Sequence, residues 1–120
     1  MYDRRQRLIE VFQDTQKYYT ENEQLADTVA ASRKGTRLYG PDDYPALPEK
    51  RATPVQIEVT KSTSFTAASQ RYFHHGMEHI AVLNIASAVN PGGGVRSGSS
   101  AQEESLCRCS TLYPTLNQRF

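Results

Sequence analysis

Cysteine is scarce in this chain: 120 residues contain two, Cys107 and Cys109. A disulfide between residues two apart is strained. Both therefore read as free thiols of a reducing compartment, and a disulfide-held scaffold is excluded. Long apolar runs are also lacking. The longest, Ile80 to Val89, is interrupted by Asn84 and Ser87 and falls well short of the roughly 20 residues of a membrane span. The start, Met1-Tyr2-Asp3-Arg4-Arg5, has no apolar secretory core. The expectation is a soluble protein of the cytoplasm, or of the nucleus in a eukaryotic cell, with no membrane partner. Charge of one sign is missing too, since Lys plus Arg total 14 and Asp plus Glu total 13. That balance excludes broad electrostatic binding of DNA, RNA or anionic lipid. A polyanion would have to be met at a local site. Apolar residues make up 38% and mean hydropathy is −0.64, which is polar for a compact domain. A mobile first third or an incomplete core accounts for it. The length suits one small domain.

Residues 3 to 33 are mostly good helix formers, with Leu8, Ile9, Val11 and Phe12 as an apolar stripe. Asn22 is placed to cap a second helix carrying Leu25, Val29 and Ala30, and Gly35 to end it. Six glycines and prolines between 35 and 54 mark a loop. Val55-Gln56-Ile57-Glu58-Val59 alternates with period two and predicts a strand. Ser64 is placed to cap a helix over about 65–75 that Gly76 ends. Ile80 to Ala86 is nearly continuous in apolar residues, as in a strand covered on both faces. Strand, helix and strand predict a right-handed βαβ unit.

Asn90-Pro91-Gly92-Gly93-Gly94-Val95-Arg96-Ser97-Gly98 then leads to a helix expected from Gln102, with Ser99 or Ser100 as its cap. A loop that leaves a buried strand for a helix is where α/β folds bind ligands. Three glycines let the backbone approach a ligand closely, and their N–H groups suit phosphate. No lysine follows Gly98, so this is no P-loop, and the glycine spacing is not the dinucleotide fingerprint. Glu103 and Glu104 follow at once. Glycosidic cleavage needs a carboxyl group to protonate the leaving oxygen and a carboxylate to activate water or stabilise the oxocarbenium ion. Neighbouring helical residues point about 100° apart, so a division of labour is expected.

Gly92-Gly93-Gly94, seven residues, then Gln102-Glu103-Glu104 is similar to the signature of poly(ADP-ribose) glycohydrolases. Val82 to Pro91 resembles the lead-in strand of their microbial branch, Ala101 to Arg108 and Thr111 to Tyr113 its catalytic helix, and Thr60 to Ala68 an upstream element. The resemblance runs from about Val55 to Leu116. Residues 1–54 resemble more loosely that branch's N-terminal helical extension, which gives a partition into 1–54 and 55–120. The implied fold class is α/β: a macrodomain-like mixed sheet between helices, with the helical extension in front and the domain incomplete at its C-terminus. Further strands, a second phosphate-binding loop and an adenine-stacking aromatic are expected downstream of Phe120. The implied activity is hydrolysis of ribose–ribose O-glycosidic bonds in poly(ADP-ribose), releasing ADP-ribose, with no cofactor and no metal. Carried over by position, Glu104 is the acid/base and Glu103 holds ribose hydroxyls. Gly92, Gly93, Gly94, Val95 and Gln102 belong to the substrate site, the N–H groups of Gly93, Gly94 and Val95 facing the diphosphate. Asn90 bonds a ribose hydroxyl. Two other readings compete: a module that holds ADP-ribose without cleaving it, and a fragment without activity.

Other residues are not promoted. His74, His75 and His79 with the two cysteines match no metal-ligand spacing. Cys107 has no evident histidine partner for nucleophilic work. Arg33, Lys34 and Arg37 read as a solvated loop, and Tyr18 and Tyr19 as packing.

Overall fold

The computed structural model describes residues 3–49 and 53–118. Among these, the regular elements are five helices and one short 3₁₀ turn: α1 (Arg4–Glu21), α2 (Glu23–Gly35), α3 (Ser64–His75), the turn Val95–Ser97, α4 (Gln102–Arg108) and α5 (Leu112–Leu116). The chain divides into two compact units, one from the residues up to 37 with those from 84 onward, the other from 38 to 83.

The first unit holds the core. Asp3 starts α1 by accepting the Arg5 N–H at 3.0 Å, and Asn22 starts α2 by accepting the Leu25 N–H at 3.1 Å. These caps satisfy amide donors that no helical carbonyl reaches. The buried face of α1 is not its densest apolar stretch. Phe12 and Tyr19 are buried while Val11 is 40% exposed, because the face is set by the helix turn and not by composition. Phe12 packs edge-to-face on Tyr113, ring centroids 5.0 Å apart, with Val95 and Cys107 completing the cluster and Leu112 and Leu116 against it. Burial of a ring the size of Phe12 contributes about 1.5–3 kcal/mol.

Polar contacts fix the helices around that cluster. The buried Arg108 donates from Nε to the Leu8 carbonyl at 3.1 Å and from its other end to the Ser99 carbonyl. Thr15 Oγ1 returns a bond to the Arg108 carbonyl at 2.5 Å. Arg33 donates to the carbonyls of Pro114 and Asn117, at 2.8 and 3.1 Å. It thus closes the C-terminal end of α5.

In the second unit Thr63, one residue earlier than expected, caps α3 by accepting the Thr66 N–H at 3.2 Å. Gly76 ends the helix in the left-handed region, φ 63°. Arg71 pairs with Glu58. The small side chains of Ala67 and Ala68 face residues 80–83 across a hollow of about 310 Å³.

The expected α/β architecture is corrected here. Among the described residues no strand forms, and neither 55–59 nor 80–86 belongs to a sheet. Alternation at 55–59 and the apolar run at 80–86 favour strands, but a strand exists only through its ladder. Val59 is 93% exposed, and Ile57, Leu83 and Ile85 are exposed as well. Local preference alone does not build a sheet. The amides beyond residue 84 take a different route. Ile85 and Ser87 donate to the side chains of Gln102 and Glu103, at 2.9 and 2.7 Å.

Candidate active site

The site is built where the first turn of α4 meets the glycine loop. Gly92, Gly93 and Gly98 all have positive φ, at 75°, 56° and 78°. Successive turns fold the loop onto itself: Gly93 N–H donates to the Asn90 carbonyl at 2.8 Å, Val95 to Gly92 at 3.2 Å and Ser97 to Gly94 at 3.0 Å. Val95 drives into the core and is fully buried. Arg96 beside it is exposed.

The two carboxylates straddle Gly93. Glu103 is buried and accepts three bonds: from Gly92 N–H at 3.0 Å, from Asn84 Nδ2 at 3.4 Å and from Ser87 N–H at 2.7 Å. Glu104 accepts the Gly94 N–H at 2.9 Å through Oε1. Its other oxygen has no protein partner among the described residues. A Cβ on Gly93 would lie 2.5 Å from Glu104 Oε1 and 3.3 Å from Glu103 Oε2, so that glycine is required by space as well as by φ. The two neighbouring carboxylates are engaged unequally: Glu103 accepts three bonds and Glu104 one. Gln102 Oε1 accepts the Ile85 N–H and holds the segment leading into the loop.

On the outer side of the loop lies a groove of about 580 Å³. Asn90, Gly93, Gly94 and Val95 line it, together with Arg96, Ser97 and Tyr113. Gly93 and Gly94 thus present the groove on one side and carry the carboxylates on the other. Gly92 and Gln102 do not line the groove; Gly92 is buried against the Tyr113 ring, which a Cβ there would meet at 2.6 Å. Every N–H from Gly92 to Val95 is already bonded within the site. A second hollow of about 500 Å³, lined by residues including Tyr18, Tyr19 and Leu25, contains neither the loop nor the paired carboxylates.

Sequence reasoning missed Asn84, Arg96 and Tyr113. Asn84 left a signal, being the lone polar residue within an apolar run. Its Nδ2 serves Glu103 while its buried Oδ1 finds no donor. Tyr113 is buried, and its hydroxyl accepts from Arg96 Nε at 2.8 Å. No local pattern announces that pair, which spans 17 residues. Cys107 sits within the core, its thiol pushed up to about 11 by burial and then by the charges of Glu103 and Glu104, so it is protonated and unreactive at neutral pH. Among the described residues no group of three or more metal-ligating side chains gathers. None of the described helices is long and apolar enough to cross a membrane.

No curated protein and no solved structure matches the chain. The family described as microbial-type PARG, catalytic domain, matches residues 6–120, which takes in most of α1, the glycine loop and both carboxylates. The chain belongs to the microbial-type poly(ADP-ribose) glycohydrolase catalytic-domain family.

Proposed function

We propose that this protein hydrolyses the ribose–ribose O-glycosidic bond of poly(ADP-ribose) and releases ADP-ribose, with Glu104 as its acid/base. The observation that carries the reading is the half-engaged carboxylate of Glu104, which accepts the N–H of Gly94 behind the loop whose other side, with Asn90, Gly93 and Val95, lines the groove. In its acid form Glu104 protonates the 2′-oxygen of the leaving ribose as the bond to the anomeric carbon breaks. The positive charge passes to the ring oxygen and that carbon. The resulting carboxylate takes a proton from water as the water oxygen bonds to the same carbon, which restores the acid. Glu103 keeps the loop in register. A carboxylate has about four acceptor sites and Glu103 uses three, which leaves one for a ribose hydroxyl. Asn90 bonds another ribose hydroxyl. The backbone of Gly93, Gly94 and Val95 forms the wall along which the diphosphate lies.

The test is Glu104→Gln, which keeps the Gly94 bond through the amide oxygen but removes the transferable proton. Release of ADP-ribose from the polymer is expected to fall roughly 10²–10⁴-fold, with ADP-ribose affinity kept. Turnover at the wild-type rate in this variant rules out the assignment. Tight ADP-ribose binding by the wild-type chain without cleavage makes it a binding module instead.

A further inference from the structure

We infer that Arg96 is the residue that grips the diphosphate of the bound ADP-ribose unit, with Tyr113 positioning its guanidinium. The inference rests on the reading of the groove given above and adds to it the source of positive charge. A groove for a diphosphate needs hydrogen-bond donors, and the glycine loop no longer supplies them. The N–H groups of Gly92 and Gly94 serve Glu103 and Glu104, and those of Gly93 and Val95 close turns within the loop. Among the described residues that line the groove, Arg96 is the one cation and none is a carboxylate. Among the described residues Arg96 pairs with no acid.

Its placement follows from the 3₁₀ turn. Val95 is locked in the core, so the next side chain must project outward. There the Tyr113 hydroxyl accepts from Nε at 2.8 Å, and the guanidinium carbon lies 5.5 Å from the centre of the Tyr113 ring. Tyr113 is itself pinned by Phe12 and by the bare face of Gly92. Nε is therefore occupied and the two terminal nitrogens are left for a ligand. That is the fork that meets phosphate oxygens two at a time. A pre-positioned guanidinium also loses less side-chain freedom on binding than a solvated one.

The experiment is calorimetric titration of the full chain with inorganic pyrophosphate and, separately, with ADP-ribose. Wild type, Arg96→Gln, Arg96→Lys and Tyr113→Phe are compared, with helical content checked by circular dichroism. Arg96→Gln is expected to weaken both ligands about 10–30-fold, the scale of a charged hydrogen bond. Arg96→Lys is expected to recover part of that loss through its charge alone. Tyr113→Phe is expected to weaken pyrophosphate severalfold in the wild-type background and not at all beside Arg96→Gln, which separates positioning from general packing. Unchanged affinity in Arg96→Gln overturns the inference and leaves the proposed function standing. Pyrophosphate binding that depends on Arg96, with ADP-ribose no tighter, supports the anion contact while removing the ADP-ribose reading. No pyrophosphate binding by the wild-type chain overturns the inference.

Discussion

Gly93 shows how much a single residue decides. Its φ of 56° already disfavours any side chain, and a Cβ would collide with the Glu104 carboxylate. Gly93→Ala is therefore expected to lower stability by about 1–3 kcal/mol and to abolish turnover through displacement of Glu104. Thermal unfolding and ADP-ribose release measure the two effects separately. Gly98→Ala belongs to the same scale but acts elsewhere. Its Cβ would lie 2.6 Å from the Arg5 carbonyl oxygen, and backbone cannot swing aside, so α1 should loosen from the loop. Cys107 gives a pH signature. Its thiol is raised from 9.0 to about 11 by burial first, then by the neighbouring carboxylates. The folded chain then holds a proton that the unfolded chain has lost. Stability is complete below about pH 9 and is lost as pH rises through about 11, by up to about 1.4 kcal/mol per pH unit. Denaturant melts at pH 8, 9.5 and 11 should show this slope in the wild type and a flatter one in Cys107→Ala.

At the scale of elements, the site depends on α1. Arg108 ties the Leu8 carbonyl to the Ser99 carbonyl, and Arg5 Nε holds the Ser97 carbonyl at 2.7 Å. The N-terminal helix is thus a clamp on the glycine loop. Phe12→Ala removes its one fully buried side chain among the described residues and is expected to cost about 3–5 kcal/mol. Ligand affinity should fall with stability, since the clamp and the loop share the cluster of Phe12, Val95, Cys107 and Tyr113. Asn22→Ala is the contrasting case. It removes the cap of α2 and should cost about 1 kcal/mol without touching the groove. Equilibrium unfolding beside ADP-ribose titration distinguishes the two.

On the scale of the whole molecule, order is distributed unevenly. The segment 55–59 exposes Val55, Ile57 and Val59, and among the described residues it belongs to no ladder. The amides of 55–59 should exchange with solvent at rates near those of an unfolded chain, while those of α1 and of residues 92–108 are protected. Hydrogen exchange read by mass spectrometry checks this directly; protection at 55–59 in the isolated chain would show that a pairing partner is present. An alternating apolar segment that belongs to no ladder also invites edge pairing between copies. Light scattering should therefore rise with protein concentration, and Ile57→Lys with Val59→Lys should suppress the rise with helical content retained.

What the sequence by itself determined is local. Asn22 as a cap, Gly76 as a left-handed stop and the helix beginning at Gln102 rest on contacts within a few residues, and such preferences are written in adjacent side chains. The glycine triplet and the Gln-Glu-Glu run were legible for the same reason, and they were enough to indicate the family. The sheet was not determined, since alternation at 55–59 and apolarity at 80–86 specify an extended backbone but not a partner for it. Tertiary structure alone decided the rest. It sent Glu103 to Gly92, Asn84 and Ser87, left Glu104 half engaged, and brought Arg96 to Tyr113 across 17 residues. These pairings follow from how α4 and α5 pack beneath the loop, and packing is a property of the folded chain that no short stretch of sequence contains.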